Sequence, residues 1–210
     1  PTGNFGDIFA GYIARKMGLP IEKLVIATNQ NDILHRCLTT GVYKTDTVHP
    51  SISPSMDIQV SSNFERALFD AYGRDGAAVA QIMDELKATG EFTVSQGALQ
   101  ALREVFTSGR VSEEETSASI AQTLAHSAEL LCPHSAVGTA VAAQHLGATP
   151  MITLATAHPA KFPDAVEAAS GVRPPLPPRM ADLFERPERI TRMTADRAAM
   201  QALILDRVGA

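Results

Sequence analysis

The chain has 210 residues, 45% of them hydrophobic and 20% charged, which is enough for one sizeable core and an appendage. A net charge of −5, a pI near 5.7 and the lack of any Lys/Arg cluster argue against a nucleic-acid surface, and no apolar run reaches membrane-spanning length. Two distant cysteines, Cys37 and Cys132, give no disulfide framework, so a reduced cytoplasmic setting is expected. The chain begins at Pro1 inside what reads as a functional loop, and is therefore expected to be a piece of a longer protein.

The first seven residues, PTGNFGD, carry the most chemistry. Gly3 and Gly6 let the backbone bend and approach a ligand closely. Asn4 tolerates unusual dihedrals, and Asp7 suits a helix N-cap. Ile8, Phe9, Tyr12, Ile13 and Met17 then share one helical face. A glycine turn that opens a helix aims backbone N–H groups and partial positive charge at one spot, which suits an anion and most often a phosphate. The spacing is neither a Walker loop nor a dinucleotide fingerprint, and taken alone it reads better as an ordinary capped turn.

Strand and helix patterns alternate from there. Lys23 to Thr28 reads as a buried strand, and Asp32 to Thr40 as a helix ended by Gly41. Asp57 to Ser61 alternates like a strand, and Asn63 can cap a helix from Phe64 to Tyr72. Ala77 to Thr89 is helical with Gly90 as its stop, Phe92 and Val94 allow a brief strand, and Gln96 to Thr107 is helical again. Ser112 and Glu115 form a capping box that opens a long helix to about Leu131. An Ala-rich helix over Ala136 to Leu146, a strand over Pro150 to Ala155 and a helix over Lys161 to Ala169 follow. The proline-rich stretch from Gly171 to Arg179 reads as a stiff linker, and Thr194 as the cap of a last helix.

This order implies an α/β fold, three-layer αβα, with a mostly parallel sheet covered on both faces. Its expected parts are residues 1–170, a linker over 171–179 and a helical extension over 180–210. Ligands in such folds sit beyond the carboxyl ends of strands. Three small polar segments occupy such places: Thr28 to Asp32, Ser61 to Asn63, and Thr156 to Pro159. His126, Cys132 and His134 fit no standard zinc spacing, so no metal is expected. Ser55, Ser61 and Ser62 have no acid–histidine pair beside them in sequence, which argues against a serine hydrolase.

Six blocks stand in one order: GNFGD at 3–7, ATNQNDIL at 27–34, SPSMDIQVSSNFER at 53–66, RVSEEET at 110–116, CPHSAVG at 132–138 and ATAHPAKFPDAV at 155–166. Together they resemble the C-terminal half of the bacterial and fungal threonine synthase family, fold-type-II enzymes that use pyridoxal 5′-phosphate. The resemblance implies that Gly3, Asn4, Phe5, Gly6 and Asp7 wrap the cofactor phosphate and that Thr156 faces the pyridine nitrogen. From the strand-end segments, Asn29, Asn31, Ser62, Asn63 and His158, with Lys161 close by in sequence, are expected to line the pocket. The resemblance implies conversion of O-phospho-L-homoserine and water to L-threonine and phosphate. The family's Schiff-base lysine lies upstream in a Phe-Lys-Asp segment that this chain lacks. Lys16, Lys23, Lys44 and Lys87 read as surface residues, and Lys161 as facing phosphate or solvent. The implied partner is therefore the N-terminal half of the same protein, without which the chain is expected to be inactive. Cys132 stands where the family commonly has Asp. A different class of reading is a non-catalytic phosphate-ligand-binding domain derived from such an enzyme.

Overall fold

The computed structural model describes residues 1–209, which fall into two compact units, Pro1–Pro175 and a second that begins at Leu176. In the first unit, helix α1 (Gly6–Lys16) leads to strand β1 (Leu24–Thr28), helix α2 (Ile33–Thr40) and strand β2 (Val42–Lys44). Helices α3 (Phe64–Ala71) and α4 (Gly76–Thr89), strand β3 (Glu91–Thr93), helix α5 (Gln96–Val105) and strand β4 (Phe106–Arg110) follow. Helices α6 (Glu113–Ser127), α7 (Pro133–Ala143) and α8 (Pro163–Ser170) complete it. The second unit carries helix α9 (Arg197–Val208).

β1 pairs with β4 in parallel, from Leu24 opposite Phe106 to Thr28 opposite Arg110. β2 pairs with β3 antiparallel. Successive side chains of a strand point to opposite faces, and β1 uses this to serve two cores. Leu24 and Ile26 pack into a large cluster with α1, α2, α3 and α5, where Phe5, Leu34, Phe64, Phe92 and Phe106 are buried. Val25 and Ala27 face Val137 and Val141 of α7 on the other side. A Cβ on Gly109 of β4 would come within 2.7 Å of Val141, so α7 lies close over the sheet. Helices therefore cover both faces of the parallel pair, and the α/β expectation holds, with the described sheets kept to two strands each.

The expected helix ends hold where a cap or a glycine stop stands. α2 ends at Gly41 and α4 at Gly90, both left-handed, and the capping box of Ser112 and Glu115 is formed in full. Several expectations fail. Gln96 to Thr107 is not one helix, because α5 stops at Val105 and Phe106 enters the ladder with Leu24. Asp57 to Ser61 and Pro150 to Ala155 form no strand, since neither finds a ladder partner among the described residues. α6 stops at Ser127, α7 starts at Pro133, and Asp196 rather than Thr194 caps α9. Ile8 and Tyr12 of α1 are buried, but Ile13 is 39% exposed and Met17, just past the helix end, is 83% exposed. No helix among the described residues is long and apolar enough to cross a membrane.

Candidate functional site

The bend before α1 is made by Phe5, not by the glycines. Phe5 is the N-cap with φ 63° and ψ 10°, the left-handed region, while neither Gly3 nor Gly6 has positive φ. An L-residue there costs roughly 1–2 kcal/mol. Phe5 is fully buried, with its ring edge-on to Phe64 at 5.1 Å and to Phe106 at 5.5 Å. Burial of such a ring contributes about 2 kcal/mol or more, which offsets the strain. A left-handed residue followed by helical ones turns successive N–H groups into one concavity, a nest for an anion. Among the described residues the N–H groups of Gly3 through Ile8 donate to no protein acceptor. Asp7 is not the cap; it sits in the first turn, exposed.

Gly3 is required by crowding. A Cβ there would lie 2.5 Å from the Ser55 carbonyl oxygen and 3.1 Å from Met56 Cα. A Cβ on Gly6 would meet only the Asn63 amide, at 3.9 Å. The segment Ser61 to Asn63 braces the cradle from behind. Ser61 Oγ donates to the Gly3 carbonyl at 3.0 Å. Ser62 donates to Asn4 Oδ1 through its N–H at 2.6 Å and its hydroxyl at 2.9 Å. The Asn63 amide donates to the Asn4 carbonyl at 2.9 Å instead of capping α3. The Ser61 N–H in turn donates to the Tyr43 hydroxyl, whose pKa burial pushes up to about 12, so it stays protonated. Thr2 ties the start of the loop to the Ala27 carbonyl in β1.

Asn29 and Asn31 lie in a neighbouring buried scaffold. The Asn29 amide donates to Ser51, Ser53 and Asp57, each at 2.9 Å, and its Oδ1 accepts the Asn31 N–H at 2.8 Å. Asn31 donates to Asp57 and to the His49 carbonyl and accepts the His49 N–H. These groups hold the loop after β1 against the loop before α3. The region around Asp57, expected as a strand, is turned inward as the acceptor of that scaffold.

His134, in the first turn of α7, is 5% exposed, and its Nε2 accepts the Ser55 N–H at 3.1 Å. Cys132 caps the same helix, its sulfur accepting the Ser135 N–H at 3.3 Å, so the thiol performs weakly the task an Asp would perform there. Thr156, His158 and Lys161 are exposed. His158 Nδ1 accepts the Ala160 N–H and caps a short turn over Pro159–Lys161. Lys161 Nζ lies 5.8 Å from the centre of the Phe162 ring. The segment before Thr156 reaches the start of the chain, since a Cβ on Gly138 would meet both Thr153 and Pro1 within 3 Å. The sequence singles out Ser55 only as a hydrolase serine, His134 only as a metal ligand and Asp57 only as the start of a strand, and Tyr43 not at all; their bracing contacts are long-range and carry no local signal.

Two cavities lie elsewhere. One of about 460 Å³ separates α6 from α7, lined by residues that include Val111, Ser119, His126 and Thr139. Another of about 400 Å³ surrounds Asp32, which pairs with Arg36 at 2.8 Å and Arg110 at 3.0 Å. Neither includes a residue of the cradle. Among the described residues no three His, Cys, Asp or Glu side chains gather as a metal would need.

A family model described as the C-terminal domain of threonine synthase matches residues 135–204. Threonine synthase of Pseudomonas aeruginosa is 53% identical over 207 residues, covering 97% of this chain and 44% of that protein. The crystal structure of the PLP-bound threonine synthase from Brucella melitensis superposes with a TM-score of 0.92 at 53% identity, over all of this chain and 46% of that one. The yeast threonine synthase structure superposes at 0.83 and 39% identity, again over all of this chain and 46% of its own. The chain thus spans under half the length of the relatives it matches. It belongs to the threonine synthase family, and corresponds to the C-terminal part of its members.

Proposed function

We propose that this chain supplies the phosphate-binding wall of a pyridoxal 5′-phosphate enzyme that converts O-phospho-L-homoserine and water to L-threonine and phosphate. The single observation that carries the reading is the cradle: a strained Phe5 locked by its buried ring, followed by free N–H groups at the start of an eleven-residue helix. A phosphate matches those donors and the helix dipole, and no acceptor among the described residues satisfies them otherwise.

The backbone of Gly3, Asn4, Phe5, Gly6 and Asp7 would hold the cofactor phosphate, with Ser61, Ser62 and Asn63 fixing the shape of the loop. Thr156 would place a neutral hydroxyl against the pyridine nitrogen. His158 and Lys161 would line the mouth, with Lys161 adding positive charge toward the substrate's phosphate. Asn29 and Asn31 would hold the adjacent loop from beneath. When bound, the cofactor supplies an electron sink for carbon–hydrogen bond breaking. The cofactor-linking lysine and the opposite wall would come from the N-terminal half of the same protein, in the cytoplasm.

The test uses the full-length gene product. Threonine and phosphate should appear in equal amounts from O-phospho-L-homoserine. Gly3→Val should weaken pyridoxal phosphate affinity by about tenfold or more, a loss of ~1.4 kcal/mol, because its side chain must displace the Ser55 carbonyl. Absence of threonine formation, or unchanged cofactor affinity in Gly3→Val, would overturn the reading.

A further inference from the structure

The phosphate cradle is held from outside as well as from within, and the outer contact leads to a single side chain. Ser55 is the residue against which Gly3 is pressed: its carbonyl oxygen occupies the space where a Gly3 side chain would begin. The N–H of the same residue donates to His134 Nε2 at 3.1 Å. His134 is 5% exposed and stands on the first turn of α7, with its ring 4.7 Å from that of Phe162. Its other nitrogen, Nδ1, is buried and has no partner among the described residues.

We propose that His134 is a positioning residue for the cofactor-phosphate cradle, its neutral ring acting through the Ser55 backbone to fix the Gly3 end of the loop. The inference rests on the cradle being the phosphate site. Its content lies in the tautomer. Nε2 accepts, so the ring proton must sit on Nδ1, where nothing receives it. Only the Ser55 bond selects this form. A proton added at Nε2 sets donor against donor, and Ser55 must leave.

The surroundings favour the neutral ring. Burial holds the His134 pKa below its ordinary value, and the Lys161 ammonium opposes a second positive charge. The Pro1 amino group acts in the same sense and Asp57 against it. In a longer chain the Pro1 nitrogen is an uncharged amide, and Lys161 alone then opposes the charge. Phe162, the remaining neighbour, brings no charge. Acid that overcomes these effects releases Ser55 and loosens the loop. Cofactor affinity then falls with a histidine's titration added to that of the phosphate itself, whose second pKa is about 6.

The experiment measures pyridoxal phosphate binding to the apo form of the full-length gene product by fluorescence, at about pH 8 and about pH 5.5, either side of an ordinary histidine. His134→Gln keeps an acceptor for the Ser55 N–H and cannot titrate. It should bind within about twofold of the original at high pH and lose distinctly less affinity on acidification. His134→Leu removes the acceptor and should bind about tenfold more weakly at both pH values. Gly3→Val is measured beside them. If Gly3→Val weakens binding while His134→Gln follows the unaltered protein at both pH values, or His134→Leu binds as the unaltered protein does, the positioning role is overturned and the cradle stands. If Gly3→Val binds normally, the cradle itself is wrong and the proposal falls with it.

Discussion

Phe5 shows how a single residue can set the shape of a loop. A left-handed phenylalanine is unfavourable by itself, yet its ring is wedged between Phe64 and Phe106. The core therefore imposes the loop shape before any ligand arrives. Read from the sequence, the bend fell to Gly3 and Gly6, because glycine is the default for unusual dihedrals. The structure gives Gly3 a different duty, making room for Ser55, and that duty depends on a contact 52 positions away that no local pattern encodes. Asn29 and Asn31 were legible as polar residues at a strand end, but their commitment to Ser51, Ser53 and Asp57 was not. Thr156 belongs to the opposite class. It is exposed and makes no hydrogen bond with another described residue, so it carries no visible structural load. Thr156→Ala should change the stability of the full-length protein by less than about 0.5 kcal/mol. It should nevertheless lower turnover by roughly tenfold, a transition-state loss of ~1.4 kcal/mol, and shift the cofactor's absorption spectrum. Urea unfolding, steady-state rates and the spectrum check the three parts. Unaltered turnover and spectrum would remove Thr156 from the site.

Among the elements, the helices with explicit end signals were the readable ones. α6 is the clearest: Ser112 accepts the Glu115 N–H at 3.2 Å, and Glu115 returns a bond to the Ser112 N–H at 2.7 Å. Three acidic residues in its first turn add favourable charge at the positive end of the dipole. Ser112→Ala should cost about 1 kcal/mol, read as a lower urea midpoint with an unchanged slope. No loss would mean that packing of α6 on α7 and α8 alone fixes its start. Strands were harder. β1 was found because it is buried on both faces and reads as a continuous apolar run. β4 was hidden inside a helical period, since Leu99, Leu102 and Phe106 also satisfy one face of a helix. Only pairing with β1 decides for the strand, and pairing is not local. Residues 150–155 show the converse. The sequence has strand character, but a strand exists only as a member of a ladder.

For the molecule as a whole, His134 sets a pH response. Its pKa is lowered on folding, first by burial and then by Lys161. The unfolded chain therefore binds the proton more readily, and stability must fall as pH drops below the ordinary value of 6.5, continuing until the folded value is passed. Thermal melts between about pH 7.5 and 5 should show this loss, and His134→Gln should reduce it. A second expectation concerns the 210-residue chain on its own. Ile152 is 82% exposed and Leu154 48%, on alternate positions of an extended segment whose intervening Thr153 faces Gly138. Such an apolar, unladdered edge invites association. The isolated chain should self-associate in size-exclusion chromatography and form no threonine from O-phospho-L-homoserine with added pyridoxal phosphate. Turnover with borohydride labelling of Lys161 would show that the chain carries its own cofactor-linking lysine.

The parallel pairing of β1 with β4 also sets a timetable. Thr28 and Gly109 bond to one another across 81 positions of chain. At roughly 5–20 residues per second of synthesis, β1 is made some 4–16 s before its partner. Helices form in microseconds or less, so α1 and α2 are available long before the sheet that should cover them. The ring that shapes the GNFGD loop waits too, because Phe106 is one of its two walls. The GNFGD segment thus acquires its shape late. Until Phe106 emerges, the GNFGD segment is an ordinary flexible stretch, and any phosphate capture during synthesis must follow the arrival of β4.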